Sequence, residues 1–566
     1  MRKYIIAAVL LSVISIQYSA VSACTNFLVG KDASVDGSTM ISYAADSYGM
    51  YGFLHFSPAV DYPEGAVREV TDWDTGRPQL TIPQVAHTYS VVGNMNEHQV
   101  TIGETTWGGH EALWDTVGMD YGSMIYIALE RSKTAREAIE WMIRFVNEYG
   151  YASEGESFSI GDPNEVWIMD MIGKGKGNKG ACWVAVRIPD NAISGHANQS
   201  RITTLPQGKA KLTKEQKRLQ KELNCVCHGD WMWDKDMIAF AREKGFFEGE
   251  DKDFSYQAAF NPFDFSGLYV CEARVWSFFR HFSEDMDRYF DYATGKTFRE
   301  TKGKDAGEHM PLWIVPNRKV SAQDMKECMR DEYKGTPLDI TQGTDAGPWN
   351  SKLRYGGLGF KLALNGTDTL QYWYERPTAT QQTAWSYVSQ MRKDKKGILW
   401  FGVDDASCSC YTPMYCCINK VPECFAEGNG DSYTYSPTSA WWTFNIVANW
   451  AYTKYSRMYP HIRERQQMWD ERFNAQVEGV DAKVAEMNDE DARAFLTAFS
   501  CSQAENLVAD WKQLGIYLMT KFLDGQERKE ENGEFKRNPY GNSCGPNRLP
   551  LPEPFLKMVA PEIMHE

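Results

Sequence analysis

The residues best suited to covalent chemistry lie near the start of the chain, in the stretch VSACTNFLVG at positions 21–30. Cys24 follows a positively charged start (Arg2, Lys3), an apolar run YIIAAVLLSVISI and the small residues Val21, Ser22 and Ala23. This is the pattern of a cleaved export signal over residues 1–23. Cleavage after Ala23 would leave Cys24 with a free α-amino group. Such a residue carries a nucleophile and a base together. The amine titrates near about 7.7–8.0, so a useful fraction is neutral at physiological pH. It lies within reach of its own thiol, and the thiolate is the reactive form. A hydrolase built this way needs no catalytic histidine. It does need donors aimed at the developing oxyanion and groups that hold amine and thiol in place. Two other roles are open to Cys24 at this level. VSAC fits a loose lipobox, with Val21 where leucine is usual, in which the cysteine is a lipid anchor. It could also be a structural disulfide cysteine. Acylation of sulfur and amine would remove both nucleophile and base.

Other reactive groups form weaker patterns. The chain has thirteen cysteines. Setting Cys24 aside leaves an even number, which fits paired structural cysteines plus one working thiol. Cys408, Cys410, Cys416, Cys417 and Cys424 are expected to be disulfides or buried thiols. CVCH (Cys225, Cys227, His228) lacks the two-residue gap of ordinary zinc knuckles. There is no GxSxG elbow and no HExxH. The chain calls for no metal and no cofactor.

The elements that must position Cys24 read as α+β. With 566 residues and 43% hydrophobic content, the chain holds more than one ordinary core. Residues 24–125 fall into short runs such as TNFLVG, TMISY, TYSVVGN, VTIGETT and SMIYIAL, separated by Gly, Asp and Asn, the look of strands and turns. Residues 132–150 place apolar side chains at helical spacing, with Ser132 or Thr134 as cap and Gly150 as stop. KAKLTKEQKRLQKEL reads as a solvated helix, residues 385–425 look β-like, and from 438 onward the chain reads as mostly helical. After the leader no stretch approaches the roughly 18 uncharged apolar residues of a membrane helix. The net charge of −15 argues against nucleic acid and anionic membranes as partners.

The segment beginning at Cys24, CTNFLVGKDASVDGSTMISYAADS, closely resembles the start of the bacterial cysteine dipeptidases, a family of N-terminal-nucleophile hydrolases. An apolar strand follows Cys24 at once, where a lipoprotein anchor would be followed by a polar tether. Seven further blocks resemble the family in its own order: GNMNEHQVTIGETTWGG (93–109), ESFSIGDPNEVWIMDMIG (156–173), WVAVRIPDNAISGHANQSRI (183–202), CEARVWSFF (271–279), GTPLDIT (335–341), LWFGVDD (399–405) and SPTSAWWTFNIVAN (436–449).

The resemblance implies a four-layer αββα sandwich over residues 24–435, with a mainly helical region at 436–566 packed on it. It implies an exported enzyme that hydrolyses dipeptides or very short peptides through a Cys24 thioester. A close alternative is the same chemistry on an N-acyl amide. A lipid-anchored surface protein that stacks glycans on its Trp and Tyr side chains is a third. By resemblance, Cys24 is the nucleophile and Asp46 orients its amine. Asn96 supplies an amide to the oxyanion, Asn198 supplies or supports another, and Arg274 pairs with thiolate or substrate, with Arg201 a weaker candidate. Without the resemblance, Asp46 and the two asparagines would be read as turn residues and Arg274 as half of a surface ion pair. The family usually has Arg and Asn where this chain has Tyr43 and Ala44, which removes a cation expected beside the thiol. A dipeptidase must also bind a free substrate amine, and Asp46, Glu104 and Glu156 are the carboxylates available for it.

Overall fold

The computed structural model describes residues 24–355, 357–363, 369–544 and 547–563; the export signal expected at 1–23 lies outside the described residues. Two strands open the fold, β1 (Thr25–Val29) and β2 (Thr39–Asp46), paired antiparallel with Thr25 opposite Ala44 and Val29 opposite Met40. Both are buried at every position, so neither shows the alternation of a half-solvated strand. β3 (Thr101–Trp107), β4 (Gly155–Asp162), β5 (Glu165–Gly173) and β6 (Ala181–Arg187) form the middle of a nine-stranded sheet. β7 (Ile193–His196), β8 (Thr383–Met391), β9 (Ile398–Val403) and β10 (Thr412–Tyr415) join β1 and β2 in a seven-stranded sheet. Its order is Trp313–Ile314, β7, β1, β2, β8, β9, β10. β1 touches β3 and β4, and β2 touches β3, β4 and β5, so these two strands of the seven-stranded sheet face the nine-stranded one.

Two helices bridge β3 to β4. α1 (Tyr121–Leu129) contacts β3, and α2 (Ala135–Tyr149) contacts β4 and β5. α2 is the helix expected over 132–150. Thr134 caps it by accepting from the Glu137 N–H, and Gly150 ends it at φ 85°. α1 corrects the reading of SMIYIAL as a strand. Eight of its nine residues are buried, so it has no polar face from which a 3.6-residue period could be seen, and Asp120 caps it through the Ser123 N–H. The charged helix forms at Lys214–Leu223 with a capping box on Thr213.

Further along, α3 (Ala273–Arg280) contacts β1 and β7, and α4 (Ala322–Met329) contacts β2 and β8. The helical stretch expected after 438 is α5 (Ala440–Tyr452), α6 (Tyr455–Val484) and α7 (Asp489–Lys521), which contact β9 and β10. The chain is thus a mixed α/β protein, and every pairing between its named strands is antiparallel. All thirteen cysteines are free thiols, eleven of them buried, which corrects the expectation of paired structural cysteines. In this fold they behave as small apolar residues that fill the core. Among the described residues, no helix is long and apolar enough to cross a membrane.

Candidate active site

Cys24 precedes β1 and is completely buried. Its Sγ lies 3.7 Å from the Tyr43 hydroxyl on β2. That hydroxyl donates to Glu104 Oε1 on β3 at 2.6 Å. Tyr43 therefore stands where the resemblance called for a cation, and it links the thiol to a carboxylate instead. β3 is held close by Asn26, whose Nδ2 donates to the Glu104 carbonyl at 2.5 Å. The approach depends on Gly103, because a Cβ there would lie 2.3 Å from Asn26 Oδ1.

Asp46 ends β2 beyond a register shift between Ala45 and Asp46 against β8. Such an irregularity re-aims the side chains that follow it. Thr383 donates to Asp46 Oδ1 at 2.6 Å, and Arg376 donates to Oδ2 at 2.6 Å. The Asp46 backbone N–H stabilises the Cys24 thiolate, while the carboxylate opposes it. Burial pushes the Asp46 carboxyl above its ordinary value in spite of Arg376 and Thr383.

Arg274, on α3 just after a wide π-type turn at Gly267–Glu272, is fully buried. It donates to the carbonyls of Cys24 (2.6 Å), Ala197 (3.1 Å) and Val270 (2.8 Å), to Thr25 Oγ1 (2.8 Å) and to Asn198 Oδ1 (2.9 Å). These contacts occupy its five N–H groups. In place of the expected pairing with thiolate or substrate, Arg274 clamps the backbone at Cys24. Asn198 is half-buried in a left-handed conformation (φ 60°), and its Nδ2 donates to the Thr106 carbonyl at 2.6 Å.

Asn96 does not join this group. Its Nδ2 donates to the carbonyls of Leu129 and Ser132, both at 2.7 Å, and its Oδ1 accepts from the N–H groups of His98 and Val100. Both amide hydrogens are used to close the α1–α2 connection, so the oxyanion role expected for Asn96 is corrected to a turn role. Arg201 forms a buried ion pair with Glu272 at 2.9 Å.

Histidine is present nearby but is not poised to act as a base. His196, on β7 directly opposite Asn26, holds Nδ1 2.7 Å from Thr105 Oγ1 and Nε2 2.7 Å from Ser159 Oγ. Burial lowers its pKa to about 3, so the ring is neutral and both nitrogens are engaged. The thiol itself is reluctant to ionise. Burial pushes it well above its ordinary value, Glu104 and Asp46 add to that, and the Asp46 N–H and Tyr43 hydroxyl only partly offset them.

Glu156 completes the acidic side. β3 and β4 pair with Thr106 opposite Glu156, which puts Glu104 and Glu156 on one face at diagonal positions. Thr106 Oγ1 donates to Glu156 Oε1 at 2.8 Å. Burial, and then Glu104, push Glu156 well above the usual carboxylate range, and burial raises Glu104 as well. Among the described residues, no group of three or more His, Cys, Asp or Glu side chains is placed to hold a metal ion.

Sequence reasoning missed Arg376. It reaches Asp46 from 330 positions away, in YERPTAT, a stretch with no motif to mark it. The link from Tyr43 to Glu104 was equally invisible, because it depends on how two sheets face each other.

A buried thiol at a strand end, with carboxylates and an arginine around it, suits a peptidase, and comparison with known proteins agrees. Residues 23–468 match the model of Peptidase family C69, and the chain belongs to that family. It is similar to a probable dipeptidase of Latilactobacillus sakei, 23% identical over 502 residues that cover 84% of this chain and 90% of the relative. Dipeptidase A of Lactobacillus helveticus is 22% identical, with 78% of this chain and 84% of the relative covered. A dipeptidase of Bifidobacterium longum is 26% identical, with 56% and 60% covered.

Proposed function

We propose that this chain is an exported cysteine dipeptidase whose nucleophile is the thiol of an N-terminal Cys24 and whose base is the α-amine of the same residue. Residues 1–23 are the signal removed to create that amine. Residues 24–435 form the hydrolase core, with α1 and α2, the nine-stranded sheet, the seven-stranded sheet, and α3 and α4 as four αββα layers. Residues 436–566 are the mainly helical region that packs on it. The observation that carries the reading is a buried thiol held neutral at the start of β1 while the histidine beside that strand, His196, is neutral and fully engaged.

The chemistry follows from those positions. The neutral α-amine takes the thiol proton, and sulfur adds to the carbonyl carbon of the scissile amide, leaving an oxyanion. Collapse of that oxyanion breaks the C–N bond, and the ammonium returns its proton to the departing amine. Water, deprotonated by the same amine, then adds to the thioester, and collapse expels the Cys24 thiolate, which regains a proton. Asp46, fixed by Arg376 and Thr383, accepts a hydrogen bond from the α-amine and orients it. Arg274 holds the Cys24 carbonyl, and Asn198, fixed at its oxygen by Arg274, supports the oxyanion.

Two other readings are weaker. A lipid chain on Sγ would have to occupy the space between β2 and β3, where sulfur already meets Tyr43, so a lipid-anchored glycan binder fits poorly. An N-acyl amide hydrolase would leave Glu104 and Glu156 without a use.

Dipeptide hydrolysis by two matched preparations tests the mechanism, one with Cys24 exposed and one retaining a single residue before it, both N-termini verified by mass. The extension converts the base into an amide, so the rate should fall by at least about 10²–10⁴-fold. Equal rates would overturn the N-terminal base even if Cys24 proved essential.

A further inference from the structure

The two carboxylates that the thiol chemistry does not use form a site of their own. Glu104 and Glu156 are 2% and 0% exposed, yet the second oxygen of each accepts no hydrogen bond from a hydroxyl or N–H donor among the described residues. The two carboxyls act on each other, and Glu104 acts on the Cys24 thiol as well. A buried carboxylate without a cation is costly, and two together more so. A ligand that carried a positive charge into this space would relieve both.

Covalent geometry says which positive charge fits. In a dipeptide the α-nitrogen is about 2.5 Å from the scissile carbonyl carbon, set by the N–Cα and Cα–C bonds and the angle between them. When that carbon is within attack distance of Cys24 Sγ, about 3–3.5 Å, the ammonium must lie in the same small volume as the groups that line the sulfur. Glu104 is one hydrogen bond beyond the hydroxyl that sits 3.7 Å from Sγ. Asp46, the third candidate, has Arg376 and Thr383 on its oxygens and in the mechanism proposed above already serves the α-amine of Cys24.

The approach to the site has the same sign. Asp72, Asp74, Asp120, Glu154 and Tyr121 line an open cleft of about 390 Å³, with Lys176 as its cation. Tyr121, which lines this cleft, donates to Asp74 at 2.9 Å, and its phenol also feels Glu104, Glu156 and Cys24. Asp120 is 3% exposed, and its Oδ2 has no hydrogen-bond partner among the described residues.

We infer that Glu104, supported by Glu156, is the receptor for the substrate's free α-ammonium group, and that the acidic cleft behind Tyr121 is the route by which the cationic end arrives. The inference rests on the dipeptidase reading. It limits the enzyme to peptides with an unblocked N-terminal residue, cleaved after that residue, and excludes N-acylated substrates.

The test compares kcat/KM for Ala-Ala with that for propionyl-Ala, which is the same molecule with hydrogen in place of the ammonium group. The mature wild type should favour Ala-Ala by about 10²-fold or more, because a site with buried polar groups rejects the analogue that leaves them unpaired. In Glu104→Gln that ratio should collapse to within about tenfold, and in Glu156→Gln it should fall less. A wild-type ratio near unity overturns the inference without any variant, and so does a Glu104→Gln enzyme that keeps the full preference. If verified mature wild type hydrolyses neither compound, the dipeptidase reading itself falls. Should Glu104→Gln fail to fold, the wild-type ratio and Glu156→Gln decide.

Discussion

At the junction of β9 with α5 and α6, Lys352 places its ammonium 2.9 Å from Asp405 and 3.3 Å from Glu332. Ser407 accepts from it at 2.8 Å, and Tyr452 donates to the other Asp405 oxygen at 2.6 Å. Beside it, Arg330 meets Asp470 at 2.6 Å. Between β3 and β4, Glu104 and Glu156 are buried as deeply and meet each other instead of a cation. The consequences differ in sign. Lys352 and the hydrogen bonds around it hold Asp405 below the usual carboxylate value against burial, whereas Glu104 and Glu156 are both raised. Paired buried charge fixes the geometry between strand and helix. Buried carboxyls without a cation are held toward the protonated form instead, and such a costly arrangement is tolerated where a ligand relieves it.

The largest effect that can be asked of this comparison is on activity. Cys24→Ala removes the sulfur that Glu104 acts on and leaves the paired cluster untouched. Dipeptide hydrolysis should fall by about 10⁴-fold or more, with the melting temperature close to wild type. Substantial turnover in a purified variant would mean that the carboxylate side acts without the thiol. The next effect is on stability. Lys352→Met strands Asp405 without its cation and leaves Glu332 with Lys334 alone, and breaking a buried pair in this way costs about 3–5 kcal/mol. Denaturant unfolding should show a loss of that order. A loss below about 1 kcal/mol would remove the contrast between the two regions.

Asp404 offers an internal control, because it adjoins Asp405 but lacks its partners. Asn445 donates to one oxygen at 2.8 Å, and the other has no hydrogen-bond partner among the described residues. Burial, and then the Asp405 charge, raise its pKa to about 7. A carboxyl whose folded pKa lies above its unfolded value binds its proton more tightly when folded. Its contribution to stability therefore falls as pH rises from about 4 to about 7 and is flat above. Asp404→Asn should remove that dependence. The variant should gain stability relative to wild type on going from pH 5 to pH 8, by about 2–3 kcal/mol at one pKa unit per 1.36 kcal/mol. A difference independent of pH would show that Asp404 is charged or paired throughout. Its backbone is left-handed at φ 66°, which asparagine adopts readily, so the exchange adds no strain.

Much of the positioning was legible in the sequence. The apolar strand directly after Cys24 is β1, and α2 begins and ends at the residues whose chemistry marks caps, Thr134 and Gly150. The misreadings share a cause. SMIYIAL forms a helix buried on nearly all sides, so no period betrayed it. Arg376 reaches Asp46, and Tyr43 reaches Glu104, across sheet contacts that no local pattern encodes. Asn96 sits beside a glutamate in a motif-like segment, yet its amide is spent on the α1–α2 turn. The relation between Glu104 and Glu156 exists only through the register that sets Thr106 against Glu156.

The smallest effect is the sharpest probe of the comparison. Glu104→Gln keeps an oxygen to accept from Tyr43 and changes little in volume. It deletes one member of a carboxylate pair and a negative neighbour of the Cys24 thiol. In a cluster built for stability, removing a charge strands its partner and the protein weakens, as expected for Lys352→Met. Here there is no cation to strand. Glutamine also brings an NH₂ group that can donate to Glu156. The folded state should therefore be unchanged or stabilised by about 1 kcal/mol at pH 7, the size of an ordinary single-site change, while dipeptide hydrolysis falls. Thermal unfolding and dipeptide turnover on the same preparation separate the possibilities. A stability loss comparable to that of Lys352→Met would place Glu104 among the structural charges and leave the two regions alike.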